Sequence, residues 1–331
     1  MNYFGIDVSK KKVDCAWLRD PVTGKIKTRV FLNTPQGFQQ LLKWSLAQTH
    51  AVVEELHFSL EATGVYHEAL AHALHEGGAQ VAVLNPLQVK RYAESLGRRS
   101  KTDKNDSVVL ARYGATQQPR RWQPEPMEIR TLKALIVRLE AVEKDLQREQ
   151  NRQEKAEISQ ASLDIITSIE TMLGHLGEEK KRLLQRINEH IDRHPGLKSD
   201  QQLLESIPGV GPVVGRYLMA LLRSRVFDSA SQAAAYVGLV PLHHQSGSSV
   251  CGRSSISKTG NATLRAKLYM AAVVATRHNA VIRAQYQRLI KNGKAKMLAL
   301  IAAMRKLVHI CFGVLKHQTP FQTQTPAETG A

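Results

Sequence analysis

The stretch Tyr3-Phe4-Gly5-Ile6-Asp7-Val8, followed by Ser9-Lys10-Lys11-Lys12, decides how the rest of the chain is read. Six residues, mostly apolar and ending at a polar turn, predict a short buried strand. Asp7 breaks the apolar run, and a charge there is costly to bury unless it is paired or binds a metal. Working outward, residues 13–18 predict a second strand, Pro21 to Gly24 a turn, and residues 29–32 a third strand. Helix and strand then alternate. Residues 37–47 predict an amphipathic helix, 56–60 a strand, 66–75 a helix closed by Gly77-Gly78, and 80–84 a strand stopped by Asn85-Pro86.

An antiparallel meander leading into alternating helices and strands is the arrangement of an α/β ribonuclease-H-like domain, and other α/β folds share the same periodicity. Further along, Leu132, Leu135, Leu139, Val142 and Leu146 recur at helical spacing, as do Ile158, Ile165, Ile169, Met172 and Leu176, then Leu183, Ile187 and Ile191. With Glu140, Lys144 and Arg148 on the flanks, these residues predict long helices in a coiled-coil arm, and a helical bundle face fits them equally well. Pro195-Gly196 ends the arm. The remainder is mainly α-helical, with a Gly/Ser-rich loop at residues 246–257 and a polar, frayed final ten residues. The expected organisation is thus a catalytic domain at residues 1–124, a helical arm at 125–195 and a helical carboxy-terminal domain at 196–331.

The 46 Lys and Arg against 29 Asp and Glu leave a formal charge of +17, which attracts a polyanion and makes nucleic acid the expected partner. No stretch reads as the run of roughly 20 apolar residues that a membrane-spanning helix needs, so no membrane partner is expected. Residues 1–10 lack the features of a secretory signal, which points to the cytoplasm. Cys15, Cys251 and Cys311 are isolated thiols without a CxxC pair, so no disulfide framework or zinc ribbon is indicated.

Carboxylates carry the candidate chemistry. Magnesium takes hard oxygen ligands, commonly a few carboxylates plus waters and substrate phosphate. Asp7 interrupts one apolar strand and Glu61 caps another apolar run, and if those strands are neighbours both acids project from one end of the sheet. Asp103 and Asp106 are three apart, which in a helix puts them on one face. Four such acids could hold the two cations that assist phosphodiester cleavage. Taken singly, each has a plainer role: an Asp closing a turn, a solvated Glu before a glycine, or an acid at a helix start favoured by the dipole.

Two carboxy-terminal elements suit DNA. Ile207-Pro208-Gly209-Val210-Gly211 fits a helix-hairpin-helix turn, whose glycines let amides at a helix start approach a phosphate without reading sequence. A structural turn fits the same residues, whereas the GxGxxxG spacing and helical context do not fit a dinucleotide site. Residues 246–257 hold six serines among Gly247, Gly252 and Arg253, with Lys258 behind them. A serine could attack a phosphodiester and form a covalent phosphoserine link, or the loop could simply clamp phosphate. His243, His244 and Cys251 supply three zinc-type ligands without a fourth. Gly209, Gly211, Arg253, Lys258 and Arg265, with Lys101 beside the acids, are the candidate nucleic-acid contacts; solvated helix faces are the plainer reading of the basic residues.

Gly5 to Lys10 (GIDVSK), Glu61 to Gly64 (EATG), Asn85-Pro86 and Lys101 to Asp106 (KTDKND) resemble the DEDD transposases and recombinases of the insertion sequence 110 family, which also includes the pilin-gene DNA invertase. The resemblance implies a RuvC-like domain with metal-binding acids at Asp7, Glu61, Asp103 and Asp106, using magnesium or substituting manganese. The serine loop resembles that family's second domain, which implies a nucleophile at Ser246 of Gln245-Ser246-Gly247, with Ser248 and Ser249 as rivals. It further implies a bacterial recombinase acting at the nucleoid on element ends and target DNA, guided by a structured bridge RNA, in a homodimer or homotetramer. A metal-dependent, structure-specific DNA endonuclease hydrolysing with water, or a non-enzymatic nucleic-acid scaffold, are the other readings of the same residues.

Overall fold

The computed structural model describes residues 1–20, 23–62, 64–97, 103–242, 245–246, 250–251, 255–256 and 260–322; of residues 103, 104, 242, 245, 246, 250, 251 and 255 it describes the backbone alone. The chain divides into two compact units, Met1–Pro124 and Glu125–Ala331. The polar tail lies, from residue 323, outside the described residues.

The first unit is built on β1 (Asn2–Val8), β2 (Lys12–Asp20), β3 (Lys25–Leu32), β4 (Leu56–Glu61) and β5 (Gln80–Leu84), in the sheet order β3-β2-β1-β4-β5. The first three pair antiparallel, whereas β4 joins β1 and β5 joins β4 in parallel. Helices α1 (Pro35–Thr49) and α2 (Glu68–Glu76) connect the later strands, and α3 (Pro86–Ser95) and α4 (Asp103–Gln117) follow β5. Because side chains alternate along a strand, the sheet has two distinct apolar faces. One gathers Phe4, Ile6, Trp17 and Phe58 with Phe38, Leu41, Trp44, Leu70 and Leu74 of α1 and α2. Phe4 and Phe58 stack there with centroids 4.8 Å apart. The other packs Ala82 and Leu84 with Val89, Val109 and Leu110 of α3 and α4.

Helix ends follow their sequence signals. Thr34 accepts from the Gly37 amide and Pro35 opens α1. Asn85 accepts from the Leu87 amide at 2.9 Å, so Asn85-Pro86 both ends β5 and starts α3. By sequence pattern alone only the first half of that signal is visible. Val89 is the buried residue of α3, so the helix carries little apolar periodicity to read.

The second unit begins with α5 (Met127–Ile158) and α6 (Leu163–Arg193), an antiparallel pair. Lys180 Nζ meets Glu143 Oε1 at 3.2 Å, and His190 Nε2 meets the Glu128 carbonyl at 2.8 Å. Ile129, Leu132, Ile136, Leu139 and Val142 face Leu183, Ile187 and Ile191. At the far end the pairing is polar on one side. The residues Arg148 to Lys155 oppose an apolar α6, and Ile158, Leu163, Ile165 and Met172 are exposed. The same apolar core continues into α7 (Pro195–Glu205), α8 (Pro212–Arg223), α9 (Ala230–Tyr236), α10 (Ala262–His278), α11 (Ala280–Lys291) and α12 (Lys296–His317).

Helix α12 corrects one expectation. It is long and apolar enough, by length and composition, to cross a membrane. Arg305-Lys306 split the run and hid it in the sequence. Leu300, Ala303, Leu307, Val308 and Cys311 of this helix are buried in the shared core, which is how a core helix of a folded unit packs.

Candidate active site

The acids of the first unit meet through register and one glycine. Ile6 pairs with Leu60 in the parallel β1–β4 ladder, so Asp7, one residue before the end of β1, and Glu61, the last of β4, lie side by side. The Ala62 amide then bonds the Leu84 carbonyl at 3.0 Å, holding Glu61 against β5. Asp7 and Glu61 are both half-buried.

Gly5 shares a sheet face with Asp7 and seats α4. A Cβ on Gly5 would run into the carbonyl oxygen of Ser107 and the amide of Ala111, so only a glycine admits the helix. Further along α4, a Cβ on Gly114 would meet Ser59 Oγ and lie 3.7 Å from Tyr3 Cδ1. From Ser107 to Gly114, then, α4 runs from Gly5 back toward Tyr3, antiparallel to β1. Asp103 is one turn before Ser107, about 6 Å along the helix, and Asp7 is two residues beyond Gly5, about 6.6 Å along the strand. The first turn of α4 therefore arrives at the strand ends that carry Asp7 and Glu61. Asp106, half-buried, belongs to that turn. The side chain of Asp103 is outside the described residues, as is Lys101.

One further carboxylate was missed in the sequence. Asp14 pairs directly with Asp7 across the β1–β2 ladder and is 9% exposed. Like charges opposed across a ladder destabilise it, and Lys12 Nζ, 3.1 Å from Asp14 Oδ2, offsets the second charge. The signal was available: an Asp inside the second strand, as far from the turn as Asp7. The donors are oxygens only, which suits a hard cation. Among the described residues no three His, Cys, Asp or Glu side chains gather as a metal-binding group.

In the second unit, the Gly/Ser-rich segment forms two short ladders. β6 (Pro241–Leu242) pairs with β9 (Ser255–Ile256), and β7 (Gln245–Ser246) pairs with β8 (Val250–Cys251). Ser246 ends β7, opposite Val250. Its side chain, like that of Cys251, is outside the described residues; so are His243, His244, Ser248, Ser249, Arg253 and Lys258 altogether. Past these ladders, the chain entering α10 is held to the end of α9. Gly260, at φ +104°, lets its backbone press on the Tyr236 carbonyl, and Arg265 Nη1 donates to the Val237 carbonyl at 3.0 Å. Arg265 is thereby half-buried at the end of α9.

The two glycines of the 207–211 turn differ. Pro208 and Gly209 turn the chain, with the Val210 amide on the Ile207 carbonyl at 2.9 Å. Gly209, at φ +102°, packs against Ala275, whose Cβ would lie 2.7 Å from an added Cβ. Gly211 caps α8 and faces open space. The thiols of Cys15 and Cys311 are fully buried, which pushes both far above the ordinary thiol range and removes them as nucleophiles.

Comparison with known proteins agrees across the chain. A family profile described as Transposase, of the DEDD IS110 type, matches residues 4–156, and one described as Transposase IS116/IS110/IS902 family matches residues 201–287. The pilin gene-inverting protein of Moraxella bovis is 36% identical over 322 residues, covering 96% of this chain and 97% of that protein. The pilin gene-inverting protein of Moraxella lacunata is 36% identical over the same shares. A protein of insertion element IS110 from Streptomyces coelicolor is 27% identical over 168 residues, 50% of this chain and 40% of its own length. Both profiles and a relative matched along nearly its whole length lead to one conclusion: the chain belongs to the IS110 family of transposases and recombinases.

Proposed function

We propose that this recombinase excises and inserts a mobile DNA element through a composite site, with Asp7, Glu61, Asp103 and Asp106 holding magnesium and Ser246 as nucleophile. The observation that carries the reading is the seat at Gly5, which brings the first turn of α4 to the strand ends of Asp7 and Glu61. The strand order β3-β2-β1-β4-β5 supports a ribonuclease-H-like (RuvC-like) domain over residues 1–124. The apolar seam between α5 and α6 supports a coiled-coil arm over 125–195, with the transposase domain over 196–331.

In this mechanism Ser246 Oγ displaces a deoxyribose oxygen from the scissile phosphorus, and the serine proton ends on the departing hydroxyl. The phosphoserine diester conserves the bond energy, so the reverse attack by another strand's hydroxyl rejoins DNA without a high-energy cofactor. Magnesium, or manganese in its place, would supply charge neutralisation at the phosphate and the departing oxygen. Asp7 and Glu61 would hold that ion from the ends of β1 and β4. Gly211, whose surroundings are open at the start of α8, suits a phosphate contact; Lys101, Arg253 and Lys258 would complete the nucleic-acid contacts, whereas Gly209, packed on Ala275, and Arg265, bonded to the Val237 carbonyl, suit holding the local backbone instead. The names of the Moraxella relatives, which describe DNA inversion, support strand exchange rather than simple hydrolysis. The +17 charge suits DNA together with a structured bridge RNA, and acids and serine on separate domains suit assembly as a homodimer or homotetramer in the bacterial cytoplasm.

The test of the metal assignment is a plasmid carrying the element with its native flanks and transcript. Chelation should abolish strand cleavage while binding persists, because basic contacts to the backbone need no metal. Undiminished cleavage in chelator would refute it.

A further inference from the structure

The sheet edge that carries Asp7 and Glu61 has a second feature, tied together by Asn33. Its Nδ2 donates to the Ser9 carbonyl at 2.9 Å and to the Tyr66 carbonyl at 3.2 Å, and its amide donates to the Lys11 carbonyl at 3.0 Å. One residue thus joins the β1–β2 turn, the end of β3 and the segment behind β4. Ser9 is two residues beyond Asp7, and Tyr66 is five beyond Glu61. Around this knot the surface is apolar and basic at once. Leu32 is 65%, Val65 69% and Tyr66 44% exposed, and Lys10 and Lys11 extend from the turn. Tyr66 is the one exposed aromatic among the described residues of this unit, while Phe4, Trp17, Phe31, Phe38, Trp44 and Phe58 are buried in its core.

An exposed ring on a segment that Asn33 ties to the lysine-bearing turn next to Asp7 offers what an unpaired nucleotide needs: a face for stacking and cations for its backbone. We propose that Tyr66 is a stacking platform for an unpaired base of the DNA strand entering the acidic site, with Lys10 and Lys11 on its phosphates and Asn33 as the positioning residue. The proposal rests on phosphodiester chemistry at Asp7 and Glu61. It adds a preference for locally opened DNA over intact duplex, since a stacked base must leave its own helix.

The test uses the full chain with magnesium and a mixed-sequence oligonucleotide carrying iododeoxyuridine, offered as single strand and as duplex, at salt high enough to suppress backbone binding. Irradiation should crosslink the single strand to Tyr66, as mapped by mass spectrometry, with far less from the duplex. Tyr66→Leu should lose the crosslink and weaken single-strand binding about 10-fold, as expected for one lost base stack, and Tyr66→Phe should retain both. Asn33→Ala should lower the crosslink yield with the ring still present. Crosslinks confined to other residues, or Tyr66→Leu binding as well as Tyr66→Phe, would overturn the platform. Magnesium-dependent plasmid cleavage, measured in parallel, separates the two ideas: cleavage without the Tyr66 crosslink sinks this site alone, and a crosslink without cleavage sinks the chemistry beneath it.

Discussion

Replacing Gly5 by alanine adds one methyl group and should disable the acidic site without touching an acid. The added Cβ meets the Ser107 carbonyl oxygen and the Ala111 amide, and lies 2.8 Å from the Leu110 carbonyl carbon. All three are backbone atoms, so no side-chain rotation relieves the contact and α4 itself must back away. Overpacking of this kind costs about 1–3 kcal/mol of stability. The larger effect is geometric: α4 carries Asp103 and Asp106, and a shift of about 1 Å at a reacting centre costs about 10²-fold in rate. Gly177→Ala is the control, because that glycine faces open space inside α6, and alanine there should stabilise by about 0.5–1 kcal/mol. Urea unfolding gives the stability difference, and element excision from a plasmid gives the rate. Wild-type excision and unchanged stability in Gly5→Ala would refute the seat, and with it the convergence of α4 on Asp7.

Two predictions concern the second unit. Asp200 is 3% exposed and receives Arg223 Nε and Nη2 at 2.5 and 2.6 Å and Gln318 Nε2 at 3.0 Å. Asp200→Ala should cost roughly 1–3 kcal/mol in urea unfolding, because Arg223, itself partly solvated, loses its partner; an unchanged midpoint would show that the triad holds nothing. His309 on α12 is held below the ordinary 6.5 by burial and then by Arg305 and Lys306. The unfolded chain thus binds the extra proton first, so this contribution is present above 6.5 and is lost as pH falls from there through the lowered folded value. His309→Gln should flatten the acid-side loss of stability, and an identical pH slope in the variant would contradict this.

How far the sequence could be read depended on what each segment buries. Strand β5 was legible to its ends because Gly77-Gly78 and Asn85-Pro86 bracket the apolar run Val81 to Leu84. Helix α3 was not, since Val89 is its one buried residue and its surface has no period. Helix α6 read as two series, 158–176 and 183–191, whereas it is continuous from Leu163 to Arg193, and Ile158, Ile165 and Met172 are exposed rather than buried. Apolar spacing in the far half of the arm stands against a largely polar stretch of α5, Arg148 to Lys155, which periodicity cannot reveal. In the site, Asp7 and Glu61 were legible as a charge interrupting one apolar strand and a charge capping another. Their adjacency required the β1–β4 register, and the approach of α4 required knowing what Gly5 makes room for. A glycine inside a strand is a general sign of close backbone approach, yet it does not say to which element. The ladders around Ser246 were illegible for a simpler reason: two-residue strands have no period.

The central claim is that the acids and Ser246 act as one site, and a covalent adduct tests it directly. Wild-type protein with magnesium, plasmid-borne element and its flanking transcript should yield a protease-sensitive protein–DNA adduct whose phosphodiester maps to Ser246. The adduct should vanish in Ser246→Ala and in Asp7→Asn alike. An adduct surviving in Ser246→Ala, or cleaved ends that form with no adduct at all, would contradict the account.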